Sequence, residues 1–90
     1  MEEVYKKAIA TWGQDLQLNV AIEELSELTK EICKHKRGAD NADHIAEEMA
    51  DVEIMLEQMK IMFNNHAEVA RHKMGKVIRL EQRVNEANKS

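Results

Sequence analysis

Two short acidic runs, Glu23-Glu24-Leu25-Ser26-Glu27 and Glu47-Glu48-Met49-Ala50-Asp51, sit inside apolar patterns of helical period. In a helix, residues three and four apart share a face. On that spacing Leu18, Ala21, Ile22, Leu25, Leu28, Thr29 and Ile32 form an apolar stripe, and Glu24, Glu27 and Glu31 follow one flank of it. Downstream, Ile45, Met49, Val52, Met55, Leu56, Met59 and Phe63 form a second stripe, with Glu48 inside it and Asp51 near its edge. A solvated helix face does not place a carboxylate there. An ionised carboxylate buried without a partner is so costly that it neutralises, pairs with a cation or binds a metal. No Lys or Arg stands among Glu24, Glu27, Glu48 and Asp51. A hard divalent cation with oxygen ligands, Mg2+ first, with Mn2+ as a substitute, is the counter-charge this pattern calls for. Ordinary acids on exposed helix faces are the competing description, and Glu48 is the residue that weighs against it.

The rest of the composition favours helices. With 43% hydrophobic but only 3% aromatic residues, no Pro and three Gly, the chain predicts an all-α domain over residues 1–90 with an aliphatic, Met-rich core. A chain of this length buries a modest share of its surface and is marginal alone, so oligomerisation is expected to complete the bundle. The net charge of −4, with no basic run longer than Lys34-His35-Lys36-Arg37, argues against nucleic acid as a partner. The single Cys33, the lack of a signal-peptide pattern and the lack of a long apolar run predict a soluble, cytoplasmic protein with no membrane partner.

Local signals divide the chain into four helices. A first helix runs from Met1 to Trp12 and stops at Gly13. Asp15 is the expected N-cap of a second that ends at Lys36, before an Arg37–Asp40 turn. A third starts near residues 41–43 and reaches Phe63; after Asn64-Asn65, a fourth covers about residues 66–88. Ala50, Ile54 and Ile61 give the third helix a second apolar side, which predicts a second packing partner in another subunit. Gly75 interrupts the last helix at a cost of about 1 kcal/mol relative to Ala, and a close contact is one explanation for it. Lys73, Lys76, Arg79 and Arg83 line that helix as either a solvated or a phosphate-binding face. Trp12 is either core, interface or one wall of a nucleobase pocket. No Glu-x-x-His pair suggests a di-iron site, and Cys33, His35 and His44 match no closed zinc site.

Glu24-x-x-Glu27 and Glu48-x-x-Asp51, framed by Ala21–Leu28 and Ile45–Val52, resemble the E-x-x-E…E-x-x-D signature of MazG-like, all-α nucleoside triphosphate pyrophosphohydrolases. The similarity extends to Trp12-Gly13 and, more loosely, to the last helix. It implies a four-helix MazG-like bundle in a homodimer or dimer of dimers. It also implies Mg2+-dependent hydrolysis of nucleoside triphosphates to monophosphate and pyrophosphate, or action on a phosphoribosyl nucleotide. By the same resemblance Glu24, Glu27, Glu48 and Asp51 match the metal ligands, and Lys76 and Arg79 match basic phosphate contacts. Met74 stands where the family often has Asn. Glu23 or Glu31 is the expected general base or outer support, although a solvated acid is the simpler expectation for Glu31. A non-catalytic helical interaction module is the alternative from another class.

Overall fold

Gly13 does two jobs at once. At φ 86 it lies in the left-handed region that glycine tolerates without strain. Its N–H donates to the Ile9 carbonyl at 2.8 Å, closing α1, and its own carbonyl accepts from the Gln17 N–H at 3.1 Å, opening α2. The computed structural model describes residues 1–89 and contains α1 (Glu2–Trp12), α2 (Gln14–Lys36), α3 (Ala42–Phe63) and α4 (His66–Ala87), with no strand among the described residues. Gly13 thus takes the capping position expected of Asp15, which instead lies in the first turn of α2, where a carboxylate complements the positive end of the helix. The other two breaks fall where polar punctuation predicts them. Gly38, at φ 101, ends α2, and Asn64, left-handed at φ 49, ends α3.

α2 and α3 run antiparallel along most of their length, and α1 lies against both. Their seam has coiled-coil spacing: Gln17, Ala21, Glu24, Leu28 and Glu31 on α2 face Ile45, Glu48, Val52, Met55 and Met59 on α3. Among the described residues only Ala21, Val52 and Met55 are buried apolar ones. Between them the seam is polar at every seventh residue of α2. At one end Gln17 Nε2 donates to Gln58 Oε1 at 2.8 Å, with both side chains buried. At the other end the buried Asn41 turns its Nδ2 to the Glu31 carbonyl and to Glu31 Oε1, both at 2.9 Å. Asn41 therefore precedes α3 but does not cap it with its side chain. Glu31 is not the solvated acid expected. It is buried at the turn end of the hairpin, with Lys34 Nζ 3.3 Å from its second oxygen. The Asn41 hydrogen bond, and after it the Lys34 ammonium, hold its carboxyl below the usual range against the opposing effect of burial.

This polar ladder displaces the expected apolar stripes. On α2, Leu18 and Leu28 are half-buried, whereas Ile22, Leu25 and Ile32 stay exposed; on α3, Met49, Leu56 and Phe63 do the same. Past Val69 every residue of α4 to Ala87 is exposed, and α4 touches only α3. No atom lies within 4 Å of a β-carbon built on Gly75, so no close approach within the chain accounts for that glycine. The accessible surface is 7268 Å2, against about 5400 Å2 for a compact monomer of this mass. The radius of gyration is 16.6 Å, against about 12 Å for a compact domain of this length.

The Asn41 hydrogen bonds should be measurable. Asn41→Ala is expected to lower stability by about 1 kcal/mol at pH 7, a net hydrogen-bond contribution, read as a lower urea midpoint. Because the carboxyl of Glu31 titrates below its ordinary value when folded, its contribution is present above about pH 4.5 and is lost as pH falls further. The deficit of Asn41→Ala should therefore narrow at acid pH.

Candidate metal centre

One full heptad from each closed layer lies the one that does not close. Glu24 projects from α2 toward Glu48 and Asp51, which are one turn apart on α3. One carboxylate oxygen from each of the three lies within 4.8 Å of the others, and all three residues are half-buried. Desolvation and like charge act together here. Burial first, then a hydrogen bond to Asp51 and the charges of Asp51 and Glu48, push the Glu24 carboxyl up to about 7. Burial and the charges of Asp51, Glu27 and Glu47 raise Glu48 as well. Glu48 Oε2 is buried and has no hydrogen-bond partner.

No cation of the chain answers this charge. Among the described residues the ion pairs are Lys6–Glu2, Lys34–Glu31, Lys60–Glu57 and Lys89–Glu86, none of which reaches the trio. At neutral pH the cluster must therefore hold a proton or take a cation from solution. Its donor set suits Mg2+, whose oxygen ligands at about 2.0–2.1 Å stand roughly 2.9–4.2 Å apart around an octahedron. The span of the trio is within a small side-chain adjustment of that.

The remaining expected site residues lie elsewhere. Glu27 is exposed one turn along α2 and is not part of the close trio, although its charge acts on Glu48. Glu23 is exposed on the same helix. Trp12 is exposed at the end of α1. Lys76 and Arg79 are exposed on α4, beside Arg71, His72 and Gly75 at an open depression. Neither Lys76 nor Arg79 is among the charges that act on Glu24 or Glu48. The Gln17–Gln58 and Glu31–Asn41 layers were not anticipated. The heptad recurrence Gln17, Glu24, Glu31 is the signal that marks them.

Comparison with known proteins finds no matching family model, no similar curated protein and no similar solved structure. Among the described residues no helix is long and apolar enough to cross a membrane.

The raised carboxyl values fix the sign of a pH effect. A folded-state pKa above the unfolded one adds stability that is complete below about pH 4.5 and is lost as pH rises through about 7. In EDTA the melting temperature should fall between pH 5 and 8, and Glu24→Gln should flatten that slope. Millimolar Mg2+ at pH 8 should restore the wild type but not the variant, because a ligand of the folded state stabilises by mass action.

Proposed function

We propose that the chain is a Mg2+-dependent pyrophosphohydrolase that cleaves nucleoside triphosphates to monophosphate and pyrophosphate. The observation that carries this reading is the buried, partnerless Glu48 oxygen within an acid trio that no residue of the chain neutralises. Glu24, Glu48 and Asp51 would hold the ion, with Glu27 at the outer edge. The bound ion would supply the positive charge for the triphosphate and lower the pKa of an attacking water. Glu23, exposed on α2 next to Glu24, is the proposed base. An interaction module whose acids only bind a basic partner has no use for a carboxylate oxygen sealed from water.

Assembly belongs to the same proposal. Met1, Tyr5, Ile54, Leu56 and Ile61 line an open groove with Glu2, Glu53, Glu57, Lys60 and Lys73 around it. The face of α4 with Val69, Val77 and Leu80 between Lys73 and Lys76 is apolar with basic edges. Both surfaces carry apolar side chains, and Lys73 lies at the edge of each. A homodimer that lays α4 of one copy on this side of the other would bring Lys76 and Arg79 near a second copy's phosphate site.

Glu48→Ala or Asp51→Ala should reduce Mg2+-dependent pyrophosphate release at least a hundredfold while the helical circular dichroism is kept. Unchanged release from either variant would remove the catalytic reading. A screen of nucleoside triphosphates against phosphoribosyl nucleotides, scored by the same product, assigns the substrate. Ile61→Asp should lower both the solution mass and the activity, although Ile61 touches no acid of the trio.

A further inference from the structure

The net charge of −4, which argues against a nucleic-acid partner for the chain as a whole, hides a segregation. Residues 1–65 hold 7 Lys and Arg against 14 Asp and Glu, whereas residues 66–90 hold 6 against 3, so the body of the chain stands at −7 and the last helix with the residues after it at +3. Four of those six cations share one strip of α4. Arg71, Gly75, Arg79 and Arg83 follow one another at four-residue steps, which makes them neighbours along the helix surface, and His72 and Lys76 lie beside them. Arg71, His72, Gly75, Lys76 and Arg79 surround an open depression. Gly75 is its floor, and a β-carbon there would meet nothing within 4 Å, so the space over it is open to an incoming group. Among the described residues none of Arg71, Lys76, Arg79 and Arg83 takes part in an ion pair. Glu81, two residues from both Arg79 and Arg83, points to another side of the helix, and Glu68 and Glu86 stand at the two ends of the strip, Glu86 already paired with Lys89.

We infer that this strip of α4 binds the phosphate backbone of a double-stranded nucleic acid, a contact that positions the chain on the duplex without reading its sequence. Four observations select that occupant. The first is length. Arg71 and Arg83 lie about 18 Å apart along the helix axis, so one small anion does not meet both, whereas a duplex presents about ten phosphate charges over that distance. The second is residue type: three of the four cations are Arg, whose planar fork takes two phosphate oxygens at once. The third is the notch, because glycine in a helix lets a ligand come close to the backbone, and nothing within the chain uses Gly75 for that purpose. The fourth is what the strip lacks. It has no aromatic side chain on which the bases of a single strand would stack, and no large apolar side chain to enter a membrane. The negative body of the chain repels a polyanion, which confines the contact to α4 and keeps it weak. Val77 is two residues from Gly75 and faces another way, so an α4 laid on a second copy by its Val69, Val77 and Leu80 side leaves the strip open, with His72 and Lys76 bordering both sides. Arg71 and Arg83 have no part in the catalytic reading.

The test is the fluorescence anisotropy of a labelled DNA duplex of mixed sequence, about 20 base pairs long, titrated with the full chain in EDTA at about 50 and about 200 mM salt. Binding is expected in the micromolar range at the lower salt and about a hundredfold weaker at the higher, the loss that about four phosphate contacts produce. Replacing Arg71→Gln and Arg83→Gln together removes two contacts and should reduce that loss to about tenfold. The helical circular dichroism should be kept, since both side chains are exposed. A wild type that does not bind the duplex at the lower salt overturns the inference, and so does a double variant that keeps the hundredfold loss. Tighter binding to a single strand of the same length also overturns it, as does binding to phosphatidylserine vesicles but not to the duplex, which would reassign the strip to a membrane surface. If the double variant fails to fold, Gly75→Met decides, because it favours the helix but fills the notch: binding weaker by at least about threefold supports the inference, and binding as tight as the wild type overturns it. Neither metal nor nucleoside triphosphate is present, so failure of the catalytic reading does not touch the result.

Discussion

Like charge held at the centre of a helical seam is the constraint on which the rest of this structure depends. α2 and α3 meet through amide and carboxylate layers one heptad apart. The outer two are hydrogen-bonded across the seam, Gln17 to Gln58 and Asn41 to Glu31, with Asn41 Oδ1 left without a partner. The middle one cannot, because Glu24, Glu48 and Asp51 bring only acceptors when ionised. A core with three buried apolar residues contributes little against that repulsion. The closed layers fix the register in which the acids meet, and the acids in turn require a proton or a cation.

This arrangement explains why so much apolar surface stays outside. Side chains that a small monomer would bury are turned to the flanks, since the seam positions belong to polar residues. Buried polar layers specify pairing at a cost in stability, and the cost here is offset only if the flanks find cover elsewhere. The extended shape, the uncovered α4 and the apolar side of the hairpin are one consequence seen in three places.

The helices were legible in the sequence because their ends are written in residues with special backbone freedom. Gly13, Gly38 and Asn64 each take positive φ where a break was expected. The acid trio was legible through Glu48, a carboxylate within an apolar stripe. The orientation of that stripe was not. Counting apolar positions assigns Ile22, Leu25 and Ile32 to the core, whereas the observed seam is rotated toward Gln17, Glu24 and Glu31. Hydrophobic periodicity locates the apolar face of a helix but not which partner covers it. Glu31 was misjudged for the same reason, its cover being supplied by Asn41, a residue ten positions away. Glu27 fits the spacing of the acids yet lies a turn outside their meeting point.

The heptad period of the ladder has a consequence for how such a chain can vary in length. Inserting or deleting one residue within α2 between Gln17 and Glu31 turns everything beyond it by about 100°, so the layers on the two sides of the change can no longer share one seam. Length changes confined to the turn around Gly38 also carry a penalty, because Asn41 must still reach Glu31. The stretch after Phe63 is under no such phase requirement, since α4 shares no layer with α2. Indels among related chains should therefore collect at the α3–α4 junction and beyond it, and spare the hairpin.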